Sequence, residues 1–194
     1  MRLLFALLLL CAAAVSPASA AVDIYIRARG TNPSQLNYTG DSNSAQFPAS
    51  EGWFGLSSVS FGIESDTSIL TGGGTSGGKA RALPLSLVKF PNSASAAFFN
   101  ACTQARAWDE FEIVFTTPGA NQSEVTMRIE VKRCFVVELS TAGSGGDDRP
   151  METVKLIYGA QRISFYAPNN QTGKYGLVGQ SIWSFTRMTP TFEI

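Results

Sequence analysis

The sequence predicts a mainly β fold, an antiparallel barrel or sandwich of two sheets that carries one flanking helix. Three observations lead there. Short runs in which apolar and polar residues alternate recur along the chain, the period of a half-buried strand. Clusters of Gly, Ser, Asn and Pro separate these runs, as turns require. One stretch alone, residues 93–105, spaces its apolar residues as a helix does, so the strand–helix alternation of a doubly wound fold is missing.

The chain opens MRLLFALLLLCAAAVSPASA. Arg2 precedes an apolar run from Leu3 to Val15 that is too short to span a bilayer comfortably. Ala18-Ser19-Ala20 then supplies a small-x-small cleavage pattern. Leu10 stands before Cys11, where a lipoprotein needs a small residue. Residues 1–20 therefore read as a cleaved secretory signal. The expected product is exported, periplasmic or extracellular, and not inserted in a membrane. Residues 21–194 are expected to form a single domain, within the usual range of roughly 100–200 residues.

The first strand runs from Val22 to Arg29, with Val22, Ile24 and Ile26 alternating with Asp23, Tyr25 and Arg27. Residues 30–51 are polar and rich in breakers, an excursion too long for a tight turn. Phe54 and Leu56 are out of phase with Val59, Phe61 and Ile63, which predicts a bulge near Ser57-Ser58. TGGGTSGG, residues 71–78, reads as a flexible connector. Arg81 to Lys89 places Leu83, Leu85 and Leu87 on one face, and Pro84 argues for an edge or a strand start. The helix follows from Ser93 to Ala105, with Phe98, Cys102 and Ala105 as its apolar stripe and Asn92 or Ser93 as its cap. Strands are expected around Phe111–Phe115 and Val125–Leu139, the latter slipping phase at Arg133. Met151–Tyr158 and Arg162–Ala167 look like a hairpin, and Trp183, Phe185 and Phe192 mark one or two closing strands.

Composition removes several chemistries. The chain has no histidine, which excludes Ser-His-Asp and Cys-His catalysis and His-ligated zinc. Fifteen basic and fifteen acidic residues balance without a basic stripe, so nucleic acid is not an expected partner. Residues 73–80, GGTSGGKA, approach a P-loop, but Ala80 stands where a magnesium-binding hydroxyl belongs and a strand follows instead of a helix. Asp147-Asp148 lacks the further acids that a calcium loop needs. No enzyme activity and no cofactor are expected. Cys102 on the helix and Cys134 on the long strand are either a disulfide pinning helix to barrel or two small buried thiols.

Taken in order, these pieces resemble the haemolysin-coregulated protein (Hcp) family, whose members form the inner tube of type VI secretion systems. Asp23-Ile24-Tyr25-Ile26 is similar to the family's opening DIYIK strand, and the long loop follows it. Val59-Ser60-Phe61, the Gly-rich connector into Gly78-Lys79, and Leu85 to Cys102 continue the likeness. Its strongest section is RPMETVKLIYG, residues 149–159, preceded by Gly-Ser-Gly-Gly and similar to the family's GG…PxExVxLxYxKI block. ISFYAP, residues 163–168, resembles the IxxxYxP continuation.

The resemblance implies a β-barrel with one flanking helix, assembled head to tail as a hexameric ring. Such rings stack into an exported tube, with effectors and other type VI components as partners. On that reading the contacts between subunits or rings include Tyr38 and Asp41 in the excursion, Trp53 after it, and Asp147, Asp148 and Arg149 at the start of the RPMETVKLIYG block. The signal peptide departs from this pattern, because tube subunits of the family ordinarily leave through the machine itself. An exported binding or adhesion module on the same barrel, with Tyr38, Trp53 and Tyr175 as stacking platforms, therefore stands as the alternative.

Overall fold

In the computed structural model, residues 21–30, 38–66, 68–69, 75–76, 78–119, 122–146 and 148–194 are described. Residues 1–20, expected to be a signal, and Asp147 lie outside them.

Strand β1, Asp23–Arg29, pairs antiparallel with β2, Phe54–Leu56, on one side. Its other side pairs with β9, Ala107–Thr117. Alternation places Ile26 and Ala28 in the core and leaves Arg27 and Arg29 on the other face. The expected bulge near Ser57 is instead a change of partner. β2 stays with β1, whereas β3, Ser58–Ser60, pairs with β8, Leu85–Lys89. The Ser57 N–H donates to Val88 O at 2.8 Å, so the backbone bond survives the switch.

Two short ladders follow. β4, Ile63–Ser65, pairs with β7, Ala80–Ala82, and between them β5, Ser68–Ile69, pairs with β6, Thr75–Ser76. Within the segment expected to be a plain connector, Thr75–Ser76 thus forms one strand of a β-ribbon. Lys79 leads directly into β7, which removes the helix N-terminus that a P-loop requires. The strand expected over residues 81–89 is divided before Leu85, at Pro84, which lacks the N–H a ladder needs.

Helix α1, Ser93–Thr103, starts at Asn92, whose side chain accepts from the Ala94 N–H. Ser95 Oγ accepts from the Asn92 N–H and completes a reciprocal cap. The buried stripe is Ala94, Phe98 and Ala101, one residue before the expected Cys102. Ala105 lies beyond the helix at φ 50°, which ends the helical period.

β10, Glu124–Ala142, organises the rest. One edge pairs with β9 along residues 124–135. Its other edge serves two partners: residues 127–132 pair with β12, Ala160–Pro168, and residues 135–142 pair with β11, Met151–Ile157. Arg133, at φ 53°, marks the boundary, where the sequence predicts a phase slip. The hairpin expected between 151–158 and 162–167 does not form. Both strands pair with β10, one on each side of Arg133, and the Gly159 N–H bonds Lys132 O at 2.9 Å where the chain crosses. β13, Tyr175–Ser184, then pairs with β12.

The strand order is β2-β1-β9-β10-β11-β8-β3, with β12 and β13 branching from β10. β2 and β3, the two ends of that path, are consecutive in the chain, so the sheet curls back on itself as a barrel. Inside, Phe98 from α1 meets Phe54, Trp108 and Phe111, with ring centroids 5.6–6.2 Å apart. Leu85, Leu87, Ile113, Ile129, Val131, Val154 and Leu156 fill the surrounding strands, all at 0% exposure.

Candidate assembly surface

The residues anticipated at contacts divide between interior and surface. The Tyr38 hydroxyl accepts from the Ala28 N–H at 2.9 Å and donates to Gly52 O at 3.1 Å. Desolvation by burial pushes its pKa up to about 12, so it stays a neutral donor. Trp53 is 3% exposed; its ring packs on Phe47 and lies 4.5 Å beneath the Arg27 guanidinium. Neither ring is a free stacking platform. Tyr38 ties the end of β1 to the returning loop, and Trp53 closes a second small core with Phe47 and Val114. Of the platform set, Tyr175 remains partly exposed, at the start of β13.

Asp41 and Arg149 are brought together. Both line one open groove of about 600 Å³, with Tyr25, Phe90 and Ser123 among its other walls. The Arg149 guanidinium lies 4.1 Å over the Phe90 ring, and Asp41 Oδ2 accepts from Asn92 Nδ2 at 2.9 Å. Asp148, next to Arg149 in the chain, is exposed. The excursion loop, the helix cap and the Gly-rich loop therefore meet on one surface, 108 positions apart in the chain between Asp41 and Arg149.

A second surface lies on the non-core face of β1, β9, β10 and β12. Register aligns Arg27, Glu112, Glu130 and Arg162 in one cross-strand row. Glu112, only 2% exposed, is met by Arg27 at 2.9 Å and Arg128 at 3.0 Å. Arg162 grips Glu130 with two bonds of 2.6 Å. Burial alone would raise the Glu130 pKa, but the bonds from Arg162 and the charges of Arg162, Arg128 and Arg29 leave it lowered. Burial raises Glu110, and nearby cations offset only part of that. The row is a charge-neutralised polar sheet, not a catalytic pair. Sequence alternation identifies these residues as outward, but only strand register reveals that they are partners.

The third feature is an edge. β13 is ten residues long and, among the described strands, pairs only with β12, its last residue Ser184 also bridging Thr189. Leu177 and Val178 on it are 56% and 66% exposed.

Beneath these surfaces the RPMETVKLIY block has a structural role. Glu152 lies opposite Lys89 in the β11–β8 register, and their charged atoms are 2.7 Å apart. Lys89 Nζ also donates to Asn92 Oδ1 at 2.9 Å and Ser95 Oγ at 2.8 Å, while Ser95 Oγ donates to Glu152 at 2.6 Å. The block thus fixes the start of α1. Sequence reading missed this pair, although Lys89 continues the inward phase of Leu85 and Leu87.

Cys102 and Cys134 are free thiols, so the disulfide alternative is not realised in the structure. Cys134 is fully buried and its sulfur donates to Val131 O at 3.4 Å. Among the described residues, no three His, Cys, Asp or Glu side chains gather as a metal site, and no helix is long and apolar enough to cross a membrane.

Fold and surfaces define a single-helix β-barrel domain whose polar chemistry is held in structural ion pairs. A family model described as Type VI secretion system effector, Hcp, matches residues 25–165, and the chain belongs to that family. It is similar to Protein hcp1 of Pseudomonas aeruginosa, 27% identical over 95 residues, covering 49% of this chain and 58% of that relative. The chain thus matches less than two thirds of that relative's length. A structure described as that of a type six secretion system protein superposes with a TM-score of 0.75 at 23% identity, covering 87% of this chain and 99% of the other. Hcp1 from Salmonella typhimurium superposes with a TM-score of 0.66 at 17% identity, covering 88% and 99%. Both likenesses bear on the fold.

Proposed function

We propose that the protein is a tube subunit of type VI secretion, closing head to tail into hexameric rings that stack. The observation that carries this reading is the unpaired edge of β13. A long, apolar edge strand invites association unless another chain covers it. A head-to-tail contact that repeats by rotation closes into a ring. The groove holding Asp41 and Arg149 then supplies a polar contact to a neighbouring subunit or ring, with Asp147 and Asp148 next to Arg149 in sequence.

The charged face of β1, β9, β10 and β12 suits a lumen wall. Its carboxylates are matched by arginines, so a passing effector meets polar surface without a large sticky patch. Other type VI components are the remaining partners, and no catalytic role is assigned. Residues 1–20, read as a signal cleaved after Ala20, direct the subunit to the periplasm or beyond, a departure from tube subunits that leave through the machine.

The test is a charge placed on the edge. Val178→Lys should abolish rings while leaving the circular-dichroism spectrum and unfolding midpoint of the subunit nearly unchanged. Rings of normal size from that variant would remove β13 from the contact.

A further inference from the structure

Between the ribbon and the β12–β13 sheet lies an apolar pocket of about 320 Å³. Ile63 and Ala80 line it from the ribbon, and Ile163 and Phe185 from the opposite wall. Gln161 and Trp183 also line it, and they are directly opposed in the β12–β13 register, so their side chains leave the sheet on the same side.

Each carries a buried nitrogen that finds no partner among the described residues. Gln161 is 3% exposed; its Oε1 accepts from the Tyr158 hydroxyl at 3.4 Å, and its Nε2 bonds nothing. The Trp183 Nε1 is likewise buried and unpaired. Such groups are uncommon in native interiors, because a buried donor that meets no acceptor retains its desolvation cost. The indole N–H can only donate, so Trp183 calls for an acceptor in the pocket. Among the described residues no lysine or arginine lines the pocket, which suits a neutral oxygen better than a carboxylate.

We propose that this pocket binds a neutral, largely apolar small molecule through a carbonyl oxygen that accepts from Trp183 Nε1 and Gln161 Nε2. Its hydrocarbon part packs on Ile63, Ala80, Ile163 and Phe185, the usual division of an apolar pocket with a few placed polar groups. The site is separate from the groove holding Asp41 and Arg149, and Ser181, Ile182 and Trp183 of β13 line part of it.

The experiment compares two matched probes on the purified protein, 4-phenylbutan-2-one and butylbenzene, which share a phenyl-alkyl body and differ in the carbonyl. Trp183 fluorescence and saturation-transfer NMR read the binding; Trp53 and Trp108, at 3% and 2% exposure, lie away in the cores. The ketone should bind saturably and the hydrocarbon at least about tenfold more weakly, the worth of one such hydrogen bond. Gln161→Leu should weaken the ketone by a similar factor and leave the hydrocarbon unchanged. Ala80→Phe, which fills the pocket from the ribbon and spares both donors, should abolish binding of both even if Gln161→Leu folds poorly. Equal binding of the two probes, no saturable binding at millimolar concentration, or binding confined to dissociated subunits would each overturn the proposal. The last result would assign the pocket to a neighbouring copy.

Discussion

Lys89 Nζ lies 2.7 Å from Glu152 Oε2, and the two side chains are 0% and 7% exposed. They are direct cross-strand partners, and the same ammonium reaches both capping side chains of α1. One buried cation therefore joins β8, β11 and the helix start.

Removing one partner leaves the other charged in the interior. Glu152→Gln and Lys89→Met should each destabilise the subunit by about 3–5 kcal/mol, read by urea unfolding. The double variant Lys89→Met with Glu152→Leu should recover part of that loss, because neither charge remains to be desolvated. Additive losses in the double variant would contradict a coupled pair.

Acid should reveal Glu130. Its pKa is lowered in the folded state, so its contribution is fully present above the ordinary glutamate value of 4.5 and is lost as pH falls through the folded value. Glu130→Gln should be less stable than the parent at neutral pH, with the gap narrowing through the acidic range. Glu110 works in the opposite sense: its raised pKa makes ionisation costly in the folded state, and that cost is relieved as it protonates. Unfolding midpoints of Glu130→Gln and parent across pH check this; a constant gap would remove the Arg162–Glu130 pair from the pH response.

In the protein without residues 1–20, which carries Cys102 and Cys134 but not Cys11, two thiols should be counted under denaturing, non-reducing conditions. In the native protein Cys102, partly exposed on α1, should react first. Burial pushes the Cys134 thiol far above its ordinary pKa, which removes the reactive thiolate, and Cys134 should wait for unfolding. No titratable thiol after denaturation would show that the two are bridged.

The strands were legible where one face is buried, since period-two alternation from Ile24 to Arg29 and from Met127 to Lys132 needs only sequence neighbours. The slip at Arg133 was legible for the same reason. Pairing was not. Apolar alternation in β11 and β12 states that both are half-buried but not that β10 divides its edge between them. The change of partner at Ser57 looked like a bulge because both produce a one-residue phase shift. Tyr38 and Trp53 looked like surface aromatics because their neighbours are polar, yet the loop folds back and encloses them. The contact surface remained readable only in part. The resemblance pointed to Asp41 and Arg149, whereas the free edge of β13 depends on which strand is last in the sheet.

The central claim is assembly through surfaces of this subunit, and mass in solution tests it most directly. Light scattering on the purified protein, with electron micrographs of the same sample, should give six times the single-chain mass and annular particles. A monomer at high concentration would contradict the tube account and favour an exported binding module on the same barrel.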